Sequence, residues 1–384
     1  MKSNLQLVLL ATSLSVAACS AETTRPAVLL VLNKGDNSLV IVDPVAGKVV
    51  ARLPSGPDPH EVVSSKGLAF ISNYGGNNTL SVIDLLAQKA MDPVNLGALR
   101  SPHGLWVAEG KIYFTAEANK IIGRYDPAGK QIDWLLGLGQ ERTHMIVVSP
   151  DAKRIYTSNV NSDTITLLER SSGPNGPGPW PGSPREQGGP GAPPPGGPSE
   201  GGPPAGGPDG QGGPGRPPNF EGRLAGPPFG PAGGGGWSAT HVVVGKGPEG
   251  FDVSPDGKEV WAANSHDGTV SIIDVSKKSV VQSLDLGTRM SNRLKFTPDG
   301  KFVFISDLGG RDLVVVDVGA RKELKRIALG GGAAGILMQP DGSKAYVAVG
   351  SQNGVTIIDL KTTEAAGHIE TGPHPDGLSW ANLD

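Results

Sequence analysis

Three of the seven histidines in this 384-residue sequence stand at equivalent places in successive repeats. These residues are His60, His103 and His144, and a proline or threonine precedes each of them. Neutral imidazoles that converge from neighbouring segments suit Zn, Fe or Cu, and three of them leave a coordination position open for water or substrate. The spacing therefore makes these histidines candidate metal ligands, provided that the fold brings the repeats together.

The repeat that must position them is clearest in residues 247–287. It contains four short runs of strand-forming residues separated by turn-forming Ser-Pro-Asp-Gly, Asn-to-Gly and Asp-to-Lys segments. This pattern predicts a four-stranded antiparallel meander. A single meander cannot bury both of its faces, so copies of it must pack against one another.

The third strand of each repeat ends in an acid after an aliphatic run, and seven such acids occur along the chain. They are 41–43 residues apart except for one interval of 105 residues, and they are Asp43, Asp84, Asp126, Glu169, Asp274, Asp317 and Asp359. A four-stranded unit with this period is typical of β-propellers. We therefore predict an all-β fold, a single seven-bladed β-propeller of four-stranded antiparallel blades over residues 27–384. The seven acids are interpreted as turn-fixing residues without chemistry.

The two ends of the predicted propeller complete one blade. Residues 27–32 match a second strand with no first strand before them, whereas residues 375–380 match the first strand at residues 248–253. The N- and C-terminal strands should therefore pair within one blade. This closure would remove two free sheet edges.

Aligning the blades on Pro248-Glu249-Gly250 places one residue from each blade at the mouth of the channel: His60, His103, His144, Glu249, Asn292, Ala334 and Asp376. The three histidines with Glu249 would suit Zn, Cu or Fe, whereas Glu249, Asn292 and Asp376 would suit Ca²⁺ or Mg²⁺. Spacing does not choose between these metals. Arg142 and Arg293 adjoin the ring, where they could bind an anionic ligand or orient a histidine. The alternative is a wet channel mouth whose polar groups hold no metal.

The long interval contains a Pro/Gly-rich insert, residues 171–236, with almost no aliphatic side chains. Such a segment cannot bury enough apolar surface to offset its ordering entropy, so we predict disorder there. It falls between the third and fourth strands of one blade. A tolerated loop and a tether for a partner are both compatible with this position.

Residues 1–18 have the pattern of a lipoprotein-type signal peptide, with Lys2 before a short apolar core. Val16-Ala17-Ala18-Cys19 resembles a bacterial lipobox, which predicts lipidation at Cys19, the only cysteine in the sequence. Residues 19–26 would then be a linker, and the protein would be anchored by lipid in the periplasm, at the outer membrane since Ser20 follows the cysteine. Ordinary cleavage near Ala18 or Ala21 would instead release a soluble periplasmic protein.

Several function classes have no support. The formal net charge of −3 gives no basic surplus for a nucleic-acid partner. The sequence has no Walker, CxxC, CxxCH or HExxH motif, and it has no G-x-S-x-G nucleophile elbow, since its one match to that spacing, residues 197–201, falls within the Pro/Gly-rich insert. An electron-transfer or haem-holding role is disfavoured because the cysteines for haem attachment are absent.

The repeats SPDGKEVWAANSHDGTVSIID and TPDGKFVFISDLGGRDLVVVD resemble the bacterial YVTN-type β-propeller repeat. That resemblance covers nearly all of residues 27–384 except the insert, and its superfamily includes lactonase-like seven-bladed propellers. Residues 101–130 are more similar to virginiamycin-lyase-type repeats. The resemblance implies the fold, but the architecture hosts enzymes and binding modules alike. We expect a monomeric binding or scaffold module at the envelope, which recognises a small molecule or an envelope protein. The alternative is a metal-dependent lactonase- or lyase-like enzyme with His60, His103, His144 and Glu249 as ligands.

Overall fold

The computed structural model describes residues 27–171 and 236–383. The propeller belongs to one compact unit, which comprises the described residues 27–169 and 239–383. A second unit comprises residues 170–238, of which only residues 170, 171 and 236–238 are described. The predicted signal peptide, the lipidation at Cys19, the linker and nearly all of the Pro/Gly-rich insert lie outside the described residues.

The strands form seven antiparallel four-stranded sheets, which we number as blades in chain order. Blade 1 contains β1 (Val28–Asn33), β2 (Ser38–Asp43), β3 (Lys48–Pro54) and the last strand, β28 (Pro375–Ala381). Blade 2 contains β4 (Pro59–Ser65), β5 (Leu68–Asn73), β6 (Thr79–Asp84) and β7 (Lys89–Asn95). Blade 3 contains β8 (Pro102–Ala108), β9 (Lys111–Ala116), β10 (Ile121–Asp126) and β11 (Gln131–Gly137). Blade 4 contains β12 (Thr143–Val148), β13 (Arg154–Asn159), β14 (Thr164–Arg170) and β15 (Trp237–Val243).

Blade 5 contains β16 (Pro248–Val253), β17 (Glu259–Asn264), β18 (Thr269–Asp274) and β19 (Ser279–Asp285). Blade 6 contains β20 (Ser291–Phe296), β21 (Phe302–Asp307), β22 (Asp312–Asp317) and β23 (Lys322–Ala328). Blade 7 contains β24 (Ala333–Met338), β25 (Lys344–Val349), β26 (Gly354–Asp359) and β27 (Glu364–Glu370). Short 3₁₀ helices lie between second and third strands at Glu117–Asn119, Val160–Ser162 and Gly350–Gln352. Within the described ranges, no helix has the length and hydropathy needed to cross a bilayer.

The ring closes as the sequence predicts. β28 pairs antiparallel with β1, with Trp380 opposite Leu29 and Leu378 opposite Val31. Each innermost strand also contacts the innermost strand of the next blade, and the contact of β28 with β4 completes the circle. The predicted seven-bladed all-β propeller is thus confirmed.

The core lies between the blades, because the second and third strands of each blade are buried on both faces. Trp261 of blade 5 is fully buried and packs edge-on against Phe296 of blade 6, with ring centroids 5.6 Å apart. At the closure, Trp380 stacks on Tyr346 of blade 7 at 6.3 Å. Fully burying a large apolar side chain contributes about 1.5–3 kcal/mol, so these interfaces stabilise the ring blade by blade.

The six aspartates that end third strands fix turns, whereas the seventh acid, Glu169, pairs with Lys278 of blade 5. Asp43 Oδ1 accepts hydrogen bonds from the backbone N–H groups of Val45 and Ala46, at 2.8 and 2.9 Å. Asp84, Asp274 and Asp359 accept the same kind of bond. This contact satisfies backbone donors in a tight turn, which is the structural role predicted for these carboxylates.

Candidate functional site

The channel mouth holds a cavity of about 500 Å³. All seven ring residues predicted from the repeat alignment line it, as do Arg142 and Arg293. The other lining residues are Lys34, Gly35, Tyr74, Leu308, Gly332, Gly350, His374 and Pro375. Residues far apart in the sequence therefore meet here because each innermost strand begins at this face of the propeller.

A glycine that follows the ring residue brings neighbouring innermost strands close together. A Cβ atom on Gly104 would lie 2.6 Å from the backbone oxygen of His144, and one on Gly377 would lie 2.2 Å from that of His60. Gly250 and Gly335 meet the next blade in the same way. A side chain at any of these four glycines would clash with the next blade, so glycine permits the close approach there. The other three blades have Glu61, Met145 and Arg293 at this position.

Hydroxyl groups on the second strands hold the ring residues in place. Thr115 Oγ1 accepts a hydrogen bond from the backbone N–H of Gly104 at 2.9 Å and donates to the backbone oxygen of His144 at 2.7 Å. Ser158 donates to the backbone oxygen of Glu249 at 3.0 Å, and Ser306 donates to that of Ala334 at 2.6 Å. Each hydroxyl thus joins one blade to the ring residue of the next.

His144 is buried between two carboxylates. Its Nδ1 donates a hydrogen bond to Glu117 Oε1. Its Nε2 lies 3.3 Å from Glu249 Oε2, close enough for an ion pair, but the two groups are not aligned for a hydrogen bond. Burial alone would lower the pKa of His144, but the hydrogen bond to Glu117 and the charge of Glu249 outweigh it and raise that pKa. Both ring nitrogens therefore face acceptors, which favours the imidazolium form.

His103 has the opposite environment. Its ring stacks on that of His144, with centroids 3.8 Å apart and 32° between the ring planes. Burial, followed by the charge of His144, holds the pKa of His103 well below its usual value. Its Nδ1 is buried without a hydrogen-bond partner. His103 is therefore a neutral imidazole with a lone pair or an N–H group that nothing in the described structure satisfies.

His60 is engaged by other groups. Lys34 Nζ lies 2.6 Å from His60 Nε2, and His60 Nδ1 lies 3.2 Å from the backbone oxygen of Asp58. Because an ammonium group only donates, Nε2 must accept and Nδ1–H must donate, which makes His60 neutral. Burial and the nearby ammonium of Lys34 accordingly lower the pKa of His60. Its ring is 4.9 Å from that of His103, but neither nitrogen is left free.

The predicted oxygen ligands are divided among different partners. Glu249 pairs with Arg142 at 3.2 Å and accepts a 3.4 Å bond from Asn292 Nδ2. Although burial would raise the pKa of Glu249, the contacts with His144 and the charges of the two arginines lower it to about 2. Asp376 pairs with Lys34 at 3.3 Å. Each carboxylate therefore already has a cation beside it.

An ion pair crosses the channel beneath the mouth. Arg293 of blade 6 donates to Glu61 of blade 2, three blades away round the ring, and also to the backbone oxygen of Asn292 at 3.2 Å. The Arg293 side chain is 6% exposed and that of Glu61 is 14% exposed. Arg293 lines both the mouth and the lower channel cavity, so the pair forms the floor of the mouth.

The ligand-type atoms of His103, Glu117 and His144 lie within 4.8 Å of one another. This group is the one set of at least three His, Cys, Asp or Glu side chains found so close together in residues 27–171 and 236–383. Of the predicted metal ligands, the fold therefore brings His103 and His144 together, whereas His60 and Glu249 lie outside the cluster.

Glu117, Tyr74 and Lys34 were missed by the sequence reasoning. Each directly follows the second strand of its blade, so these positions form a second ring around the mouth: Lys34, Tyr74, Glu117, Val160, Ser265, Leu308 and Gly350. The sequence does indicate these positions, because the same repeat alignment, applied to the ends of the second strands, places all three at equivalent places. Tyr74 donates to Glu117 Oε2 at 2.6 Å, and burial and that contact raise the pKa of Tyr74 to about 12.

The fold and the site define a seven-bladed β-propeller with a polar cavity at one channel mouth. Neither a family model nor a curated protein sequence matches the chain. Among solved structures, it is similar to a functionally unknown protein from Desulfotomaculum acetoxidans, with TM-score 0.65, 10% identity and coverage of 93% of this chain and 99% of the other.

A candidate 6-phosphogluconolactonase from Bacteroides uniformis gives TM-score 0.63 at 14% identity, with 92% and 99% of the two chains covered. Kuenenia stuttgartiensis hydrazine synthase gives 0.59 at 18% identity, with 85% and 90% covered. Identities this low establish the propeller fold alone. The structural likeness to a candidate lactonase agrees with the fold implied by the repeats, and the YVTN family assignment stays a prediction.

Proposed function

We propose that the chain is a monomeric binding propeller of the cell envelope, and that it takes a small anionic molecule in the mouth cavity. The observation that supports this is an asymmetry of exposure. The side chains of Lys34 and Arg142 are 34% and 32% exposed, whereas those of Glu117, Glu249 and Asp376 are only 6–15% exposed. The cations are therefore the more exposed charges at the mouth, whereas Glu249 and Asp376 also line the cavity but are more deeply buried.

The envelope location in this proposal depends on the sequence of residues 1–19, and the ligand class depends on the cavity. A cavity of about 500 Å³ has the size of a small-molecule site. The ion pair of Glu61 with Arg293 forms its floor, so a ligand would enter from the mouth. Charge-assisted hydrogen bonds to an anion contribute about 1.5–3 kcal/mol each, which is enough to select acids over neutral molecules.

Calorimetric titration of the protein in EDTA with citrate, gluconate, phosphate and neutral glucose tests the proposal. We expect at least one of the acids to bind, and Lys34→Gln or Arg142→Gln to weaken that binding by roughly 10-fold or more. Lys258→Gln is the matched control, because that ammonium lies in an exposed turn outside the cavity. Equal binding of glucose, no binding of any acid, or equal affinities of the Lys34 and Lys258 variants would refute the proposal.

A second function, metal-dependent lactonase- or lyase-type catalysis, is favoured by one observation, the cluster of His103, Glu117 and His144. A bound metal could lower the pKa of a water molecule or polarise a carbonyl group. Hydrolysis of glucono-δ-lactone by zinc-loaded protein tests it, with loss of the rate expected on adding EDTA. Ring opening at the uncatalysed rate with metal bound would discard this function and leave the binding proposal intact.

A further inference from the structure

We infer that His103, His144 and Glu117 bind a divalent transition-metal ion, and that Glu249 positions His144 rather than binding the metal. The inference deepens the second candidate function, since it names the metal class and replaces two of the ligands predicted from the sequence. Two imidazoles and one carboxylate with an open position are a known donor set for catalytic zinc. Imidazole nitrogen argues against Ca²⁺ and Mg²⁺, which take oxygen ligands.

The unsatisfied nitrogen of His103 is the first independent observation. Its side chain is 2% exposed, and its buried Nδ1 has no hydrogen-bond partner among residues 27–171 and 236–383. Leaving such a group unpaired costs about 1–3 kcal/mol, so a buried ring in this state calls for a partner. A metal ion beside Glu117 and His144 would use one ring nitrogen of His103.

The arrangement around His144 is the second observation. Histidines that bind metals almost always give their other ring N–H to a carboxylate or carbonyl oxygen. His144 Nδ1 faces Glu117 in the cluster, while its Nε2 faces Glu249 at 3.3 Å. Glu249 therefore occupies the place of the orienting carboxylate, and Arg142 holds Glu249 in turn at 3.2 Å.

Glu117 is held in the same manner. It is 7% exposed, and its Oε2 accepts a hydrogen bond from Tyr74 at 2.6 Å while Arg142 Nε lies 3.7 Å away. Its Oε1 is thereby left for the side facing His144 and His103. A carboxylate fixed through one oxygen with the other directed at two imidazoles is arranged as a monodentate ligand.

The local charges also favour a cation. Glu117 and Glu249 carry two negative charges, and Arg142 neutralises one of them. The remaining negative charge favours a cation at the cluster. A divalent ion there would leave an excess of one positive charge. The open coordination position would then favour an anion, in agreement with the ligand class proposed for the cavity.

Binding requires a small rearrangement of the cluster. Donor atoms on one tetrahedral zinc ion lie about 3.3 Å apart, since each is about 2 Å from the metal. His144 Nδ1 and Glu117 Oε1 are closer than this, and the whole cluster spans up to 4.8 Å. The glutamate would move away from His144, and the stacked rings of His103 and His144, with 32° between their planes, would turn so that a lone pair of each points at the ion.

Zinc titration of the EDTA-stripped, dialysed protein tests the inference, with Co²⁺ absorption as a second readout of coordination. We expect one Zn²⁺ per chain, a loss of affinity of roughly 100-fold or more in Glu117→Gln and His103→Ala, and about 10-fold in Glu249→Gln. His60→Ala should bind normally. His368→Ala is the matched control, because that histidine lies exposed on the outer strand β27.

Several results would overturn the inference. They are substoichiometric zinc in the wild type, identical affinities in the Glu117 and His368 variants, or loss of binding in Glu249→Gln with normal binding in Glu117→Gln. Circular dichroism of each metal-free variant checks that it is folded. If His103→Ala does not fold, the zinc affinity of Glu117→Gln decides the test, because glutamine has nearly the same shape as glutamate. A protein that binds no zinc in the titration but binds citrate in EDTA would overturn the metal site alone and leave the anion-binding proposal standing.

Discussion

Glu61→Gln should destabilise the propeller far more than the loss of a surface charge would. Glu61 faces Arg293 across the channel, and the two side chains are 14% and 6% exposed. Removing one partner of a buried ion pair costs about 3–5 kcal/mol, because the other charge is left buried without compensation. Arg293 keeps a 3.2 Å bond to the backbone oxygen of Asn292 and the more distant charges of Asp376 and Glu249. We therefore expect the lower end of this range, about 3 kcal/mol.

Urea unfolding in EDTA, followed by circular dichroism, measures the change in the free energy of unfolding. The double variant Glu61→Gln, Arg293→Met should recover part of the loss, since no charge then remains buried at the floor. The matched control is Lys258→Gln, which breaks the exposed pair with Asp256 and should leave the free energy unchanged within error. If Glu61→Gln lowers the free energy of unfolding no more than this control does, the ion pair of Glu61 with Arg293 is not buried and stabilising as the structure indicates.

Three further outcomes are expected. Gly377→Ala should lower the free energy of unfolding by about 1–3 kcal/mol, because its Cβ would lie 2.2 Å from the backbone oxygen of His60. Gly137→Ala, in an outer strand with no atom within 4 Å of the new Cβ, should leave it unchanged. Equal unfolding midpoints of the two variants would contradict this prediction. The pKa of Glu249 is lowered from 4.5 to about 2, so its stabilisation, up to about 3 kcal/mol, is complete above pH about 5 and is lost as the pH falls towards 2. In Glu249→Gln, the urea midpoint should therefore fall less steeply between pH about 5 and 2 than in the wild type. An equally steep fall would contradict the lowered pKa of Glu249. Cys19→Ala should move the protein from the membrane to the soluble fraction on detergent partitioning, and wild-type protein that is already in the soluble fraction would disprove lipidation.

The fold was predictable because the propeller repeats itself. Seven copies of one pattern give seven estimates of the same strand boundaries, and the unmatched ends at residues 27–32 and 375–380 could only complete each other. The pairing of Trp380 with Leu29 confirms that inference. Closure depends on backbone register and burial, which hydrophobic periodicity and turn residues report well.

The site was only partly predictable, because side-chain partners are not repeated from blade to blade. The alignment placed His60, His103 and His144 at one mouth, and all three line it. It did not reveal that Lys34 occupies His60 Nε2, or that Glu117 approaches His144 from the loop after β9. Those contacts join the second ring of blades 1 and 3 to the first ring of the blades that follow. A search confined to one register of the repeat could not find them.

The two rings together also divide the mouth chemically. Blades 1–5 contribute the ionisable groups of both rings, whereas blades 6 and 7 contribute the uncharged ring residues Asn292, Leu308, Ala334 and Gly350, with Arg293 of blade 6 on the floor. Since Gly332 also lines that side, mostly uncharged residues face the charged half across the opening. A ligand that matched both halves would carry its anionic group beside Arg142 and Lys34 and lay an apolar part over Leu308. Phosphate fills only the first of these subsites, so an organic acid with an apolar tail should bind more tightly than phosphate if the cavity acts as one site.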